Sequence, residues 1–477
     1  MATTGPHRWR YRRRARALAA LVVTFLMAAT AAVLGATASA HAEEEPALPI
    51  VFVHGFSGSG AQYETQALRW ASNGYPNVVT AIDRTSSTPA VIHPQLDAFF
   101  DDVMAQTGDD QVYVVAHSLG TSIMYDYLTS SPERAARVAK YIGIDGLSNP
   151  SCPGGVTCMG IWGRGSPTRV LGPVNVRFED QGHTESVTSP ESFAAQYEFF
   201  TGRPPRTTLV LPEPPGRVEI SGKVLDFPAN TGVEGSTLRV FMVDERTGER
   251  RSRVPRYEVT IGADGSFGPF KVNGLHRYEL EVTRQGPDGP VRHHFYYEPF
   301  IRSDHLLRLN LSPLDSDLSQ AIQRGPHTSV SIVRQKEWWG DNPVDPANVD
   351  ILEVTTTTPR GVEAAGNIVN GATAPYAAST IAMISFDANA DGVTDTSAPV
   401  PLGPFLSGID ASMPATDPPD GTITFRHHQR RGVSEQVINT PNWSSEAGHG
   451  MTVTFREWTQ PIETWGDCKR LRPSPCS

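Results

Sequence analysis

The sequence predicts a parallel α/β domain with helices on both faces of its sheet, followed by an all-β region. Three observations lead there. Residues 48–202 alternate short apolar runs with longer stretches of helical period. A Pro/Gly-marked segment follows, with Pro204-Pro205 and then PEPPG at 212–216. Beyond it the pattern changes to short period-2 strands with turn signals between them, and no helical stretch of any length appears.

The elements can be taken in order. The run 48–53 (LPIVFV) reads as a strand, and 61–72 as a helix ended by Asn73-Gly74. Residues 78–82 form the next strand. The helix 93–106 places Leu96, Phe99, Phe100 and Val103 at core spacing. The strand VYVVA at 112–116 runs into His117-Ser118, and a helix follows over 119–129. Strands are expected at 138–144, 156–162 and 174–178, and a last helix at 190–200. Such βα alternation implies a parallel sheet.

Ser118 is the centre of this pattern. It sits at a strand-to-helix hinge with small residues, Ala116 and Gly120, two positions to either side. This is G-x-S-x-G with alanine in the first position. The turn pushes the hydroxyl out at the carboxyl end of the sheet, and the following helix's free N–H groups favour negative charge there. The bland alternative is a βα turn whose serine caps the helix. A second motif weighs against it: His54-Gly55-Phe56-Ser57-Gly58 directly follows the first strand. In this reading the Phe56 and Leu119 N–H groups form an oxyanion hole.

A serine nucleophile needs a base and an orienting acid. No Asp or Glu lies between Gly146 and Phe178, so the turn 163–166 supplies none. Asp145, at the end of the strand next to the serine strand, is the favoured acid. Its rivals Glu179, Asp180 and Glu185 crowd the histidine in sequence, and Asp180 is the strongest of them. His183 is the one histidine between Asp145 and residue 210. It satisfies a Ser…Asp…His order and is the expected base. His54 and His117 flank the motifs and are not expected to serve.

HGFSG (54–58), AHSLGTS (116–122), SSPERAARVAKYIGIDG (130–146) and GHTESVTSPESFAAQYEFFTG (182–202) together resemble the secreted α/β-hydrolase lipases and esterases. Among these the chain is similar to bacterial and archaeal lipases that join a compact hydrolase domain to a β-rich C-terminal domain. The resemblance covers residues 48–212 well and the remainder more loosely. It implies an α/β hydrolase fold, with Ser118, Asp145 and His183 as the triad and Phe56 and Leu119 as the oxyanion positions. Where many such lipases insert a helical lid, this chain has only the short stretch 84–96, so an open, esterase-like site is expected.

Residues 1–42 read as an export signal. Six arginines (8, 10, 12, 13, 14 and 16) precede an apolar run at 17–34, and A-x-A sites close it at 38–42. The full-chain charge is −10 and falls to about −16 without that segment. An acidic surface argues against nucleic acid and suits a secreted protein. Export makes local disulfides Cys152–Cys158 and Cys468–Cys476 the simplest pairing, with two other pairings formally open.

The expected domains are 43–212 (catalytic), 213–312 (an antiparallel β-sandwich) and 326–477 (a second β-rich domain). The GKV…ADGSFGPFKV pattern at 222–272 resembles carboxypeptidase-regulatory-like sandwiches. Asp387, Asn389, Asp391 and Asp395, with Gly392 in sixth place, match the opening of a calcium loop. Position twelve is Ala398, so a solvated Asp/Asn turn is favoured and no cofactor is expected. Trp338, Trp339, Trp443, Trp458 and Trp465 read mostly as core, with a lipid-surface contact as the rival. The resulting function is a secreted serine carboxylic-ester hydrolase, a lipase or esterase. The alternatives are a polyester depolymerase with the same triad and a non-catalytic secreted binding protein.

Overall fold

A computed structural model describes residues 46–322, 324–338, 350–357, 363–370, 380–403, 405–430 and 435–457. The proposed signal segment, Cys468, Cys476, Trp339, Trp458 and Trp465 lie outside the described residues.

The first domain follows the alternation: β1 (Ile50–Val53), α1 (Glu64–Ser72), β2 (Val79–Ile82), α2 (Pro89–Thr107), β3 (Val112–His117), α3 (Leu119–Ser130), α4 (Pro132–Ala136), β4 (Val138–Ile144), β5 (Thr157–Trp162), β6 (Val174–Arg177), α5 (Glu185–Thr188) and α6 (Pro190–Thr201). Every pairing in the six-stranded sheet is parallel, in the order β2-β1-β3-β4-β5-β6. Successive residues of β1 explain the continuous apolar runs. Val51 and Val53 pack with Leu96, Phe100, Ile123 and Met124 of α2 and α3. Ile50 and Phe52 pack on the other face with Trp70 of α1 and Phe193, Tyr197 and Phe200 of α6. Both faces of β1 are buried, so all four of its positions are apolar. Helix α2 starts four residues earlier than the pattern suggested, because Thr88-Pro89 gives an extended cap residue followed by a proline at the first helical position.

The remaining strands build a β half. Thr237–Val243, Tyr257–Thr260, Arg277–Gly286 and Gly289–Tyr297 join His449–Thr454, Val330–Val333, Ala382–Phe386, Leu406–Asp410 and Asp395–Gly403 in one nine-stranded sheet. A four-stranded sheet containing Glu219–Asp226, Ser266–Lys271 and Asp304–Leu311 packs on its first part through Ile220, Val224, Leu238, Val240, Leu280 and Leu309. A second, antiparallel sheet containing Ile351–Thr357 and Thr422–His428 packs on the rest through Leu352, Val354, Ile332, Phe425 and Val453.

The sandwich is therefore not purely antiparallel. Asp304–Leu311 pairs parallel with Glu219–Asp226, and Arg292–Tyr297 pairs parallel with His449–Thr454. Each parallel pair joins strands far apart in sequence, and local alternation says nothing of such partners. Ion pairs tie this half to the first domain: Arg308 to Asp83 at 2.8 Å, and Arg456 to Glu64 at 3.1 Å, all four side chains buried.

Trp338 is fully buried, and Trp443 stacks on His294 at 4.2 Å and donates to the Tyr296 hydroxyl. The Cys152–Cys158 disulfide is formed, closing the turn before β5. Among the described residues no helix is long and apolar enough to cross a membrane.

Candidate active site

Ser118 ends β3 and opens α3 with φ 52° and ψ −123°. A non-glycine residue rarely adopts positive φ, and its cost of about 1–3 kcal/mol persists only where the surroundings over-determine it. Here they do. The Ser118 N–H donates to the Ile144 carbonyl, and the Ser118 carbonyl accepts from the Thr121 N–H and hydroxyl. A β-carbon at Gly120 would lie 2.5 Å from the Val53 carbonyl oxygen, and one at Gly55 would lie 2.9 Å from the Ser118 β-carbon. These two glycines let β1, its following loop and the serine turn close on one another.

Asp145 follows β4, also at positive φ (43°), and is buried. One carboxylate oxygen meets His183 Nδ1 at 2.6 Å, and the other accepts from the Ser166 hydroxyl at 3.0 Å. The turn 163–166, which has no acid to offer, thus contributes the hydroxyl that holds the acid in place. The rivals stand elsewhere: Glu179 and Asp180 are exposed, and Glu185 pairs with Arg430 at 2.6 Å.

His117 lies beside His183, with ring centroids 4.5 Å apart. Gln62 Nε2 donates to His117 Nδ1 at 2.9 Å, which leaves His117 Nε2–H to donate to the His183 carbonyl at 3.0 Å. Burial, then the neighbouring His183, pushes the pKa of His117 well below the usual imidazole range. His54 is buried too, bonded to its own loop, with its pKa lowered to about 4 by burial and then by Arg84. Burial holds both imidazoles neutral at neutral pH.

Ser118, His183 and Phe56 border one cavity of about 410 Å³. Leu119 directly follows the serine as the first residue of α3. Phe227, Leu311, Ile381, Ala382, Phe405 and Leu406 of the β half line the same cavity. The β half thus supplies part of the wall of this site.

A model described as the alpha/beta hydrolase family matches residues 50–260. The chain is built on an α/β-hydrolase domain. To this hydrolase the chain adds a match to a lipase C-terminal domain over 216–314 and to a further C-terminal domain over 317–459. These assignments support a hydrolase. Among solved structures, a Bacillus licheniformis lipase in its propeptide form is similar over 83% of this chain and 94% of that one, at 12% identity and a TM-score of 0.25. A Listeria innocua gene product is similar over 34% of this chain and 96% of that one, at 13% identity and a TM-score of 0.27. Epoxide hydrolase A from Mycobacterium thermoresistibile is similar over 23% of this chain and 34% of that one, at 18% identity and a TM-score of 0.18. The hydrolase chain thus spans about a third of that enzyme's length. A search of curated proteins finds no significant match.

The acidic loop at 387–395 is bonded within itself through three of its oxygens, while Asp387 Oδ1 is buried without a hydrogen-bond partner. Asp387 accepts from the Gly392 N–H, Asn389 from the Asp391 N–H, and Asp391 from the Val393 N–H. Among the described residues, one group of three His, Cys, Asp or Glu ligand atoms lies within 4.8 Å: Glu279, Glu281 and His294. Arg250 bonds both glutamates, and His294 is shared between Glu279 and His449, so this group is a closed charge network.

Sequence reasoning missed Gln62, Ser166 and Glu337. Glu337 accepts the backbone N–H groups of Thr184 and Glu185, the two residues after His183. Nothing local marks any of the three, since each is defined by a partner far along the chain.

Proposed function

We propose that the chain is a secreted serine carboxylic-ester hydrolase, a lipase or esterase acting on acyl esters. The observation that carries this reading is the 2.6 Å contact of His183 Nδ1 with a buried Asp145, beside a cavity that the strained Ser118 also borders. His183 Nε2 takes the Ser118 proton as Oγ attacks the ester carbonyl. The Phe56 and Leu119 N–H groups stabilise the oxyanion. Asp145 holds the tautomer in which Nε2 is free to accept, and favours the imidazolium that forms. His183 then passes the proton to the departing alcohol. Water, activated by the same imidazole, releases the acyl group. The apolar walls contributed by Phe227, Leu311, Ile381 and Leu406 suit a hydrocarbon acyl chain.

The test is labelling by a fluorophosphonate, followed by rates on soluble esters, triglyceride emulsions and polyester films. Labelling at Ser118 with turnover of esters supports the reading, and preference for films would favour the depolymerase. A wild-type protein that does not label while a control esterase does would leave a non-catalytic binding protein. Asp145→Asn should lower kcat by about 10⁴ without unfolding the chain.

A further inference from the structure

His183 is held from two sides. From its own domain, His117 Nε2 and the Ser186 hydroxyl donate to its carbonyl oxygen at 3.0 and 2.9 Å. From the β half comes Glu337. Its two carboxylate oxygens accept from Thr184 N–H at 2.6 Å and Glu185 N–H at 3.0 Å. The Thr184 side chain offers the short helix α5 no cap of its own. Glu337 is 1% exposed, and its own carbonyl accepts from Arg430 Nη1 at 2.6 Å. Arg430 also reaches Glu185 at 2.6 Å, and Lys336 lies 3.7 Å from the same carboxylate. Three consecutive or bridged residues of the β half therefore grip both the backbone and the side chain of the segment that follows the histidine.

We propose that Glu337 is a positioning residue for the hydrolytic reaction, fixing the His183 loop, and hence the imidazole, from the β half. This rests on the reading of His183 as the base. A carboxylate accepting two N–H groups is a charge-assisted, two-point contact, stronger and more directional than a neutral bond. It acts through the main chain next to the ring, so it sets where Nε2 points without touching substrate. The cavity's apolar lining includes neither Glu337 nor Arg430. Loss of the contact therefore affects the chemical step and leaves substrate binding in place.

The experiment compares the full-length wild type with Glu337→Gln and Glu337→Ala on a soluble short-chain p-nitrophenyl ester, with melting followed by circular dichroism. Glu337→Ala should lower kcat about 100-fold, the scale of a small displacement of a catalytic group. Glu337→Gln keeps one acceptor oxygen and should lose about tenfold. KM should stay within about twofold in both, since ground-state binding is not involved. Should the alanine variant fail to fold, the isosteric glutamine variant decides. A folded variant with wild-type kcat overturns the proposal, and so does a rise in KM at constant kcat, which would place Glu337 in substrate binding. If the wild type neither labels with fluorophosphonate nor turns over any ester, the hydrolase reading itself fails, an outcome separate from both of these.

Discussion

The serine turn and the histidine loop sit on one cavity but are built by opposite means. The turn is assembled from neighbours in its own domain: β3, α3, the carbonyl at the end of β4, and two glycines that admit β1 and its loop. The loop at 181–186 has only part of its frame nearby, where the Gln181 carbonyl accepts from the Arg164 N–H and the Gly182 carbonyl from the Ser186 N–H. Its shape comes from Asp145, His117 and, across the molecule, Glu337 and Arg430. Geometry that local sequence encodes is robust to what happens elsewhere, whereas geometry that distant contacts impose is lost when those contacts are.

The predictions sharpen this contrast, beginning with the largest effect. Ser118→Ala should abolish turnover, by about 10⁶ in kcat, with the melting temperature unchanged. Retained activity in a stopped assay would remove the turn from the chemistry altogether. Gly120→Val should damage the fold, because its β-carbon meets the Val53 and His54 carbonyl oxygens at 2.5 and 2.8 Å. Overpacking of this kind costs about 1–3 kcal/mol, and urea unfolding would show it. Activity per folded molecule should fall with it, in contrast to Glu337→Gln, which should lose kcat and keep most of its stability. Ser166→Ala takes the one side-chain donor from the outer oxygen of Asp145 and should cost about tenfold in kcat. An unchanged rate would mean that the contact to His183 alone orients the acid.

The two regions should also differ in the sign of their pH response. His54, in the first domain, has its pKa lowered from 6.5 to about 4 by burial and then by Arg84. Between those values the unfolded chain holds more protons, so stability falls as pH drops from 6.5 towards 4. Glu298, in the β half, has its pKa raised from 4.5 to about 7 by burial, against the opposing pull of the Arg456 N–H. There the folded chain holds the extra proton, so stability falls as pH rises from 4.5 through 7. Glu298→Gln should raise the melting temperature at pH 8 relative to wild type and leave it nearly equal at pH 4. A difference that grows towards acid would reverse the assignment.

The same contrast explains what was legible in the sequence. Strands β1 and β3 announce themselves because a central strand covered on both faces tolerates only apolar runs, and the serine turn because only small residues fit at 116 and 120. Asp145 was reached by eliminating residues 146–178, and His183 by chain order, and the structure puts the two in contact. Gln62, Ser166 and Glu337 had no such marker. Each is an ordinary polar residue until a strand or loop far along the chain arrives beside it. The lining of the cavity by the β half had no marker for the same reason, since Phe227, Ile381 and Phe405 border it only after two separate stretches of β structure come beside the first domain. Period-2 alternation identified these strands but not their partners, and so missed the parallel pairings among them.

One of those pairings governs how the molecule can be cut. The strand Arg292–Tyr297 belongs to the stretch matched by the lipase C-terminal model, and His449–Thr454 to the stretch matched by the next model, yet they share one ladder. A truncation at residue 314, sensible on the boundaries of those two matches, would strip six residues of backbone of their partners and bare a sticky seam. Any cut is best placed so that the β half stays whole.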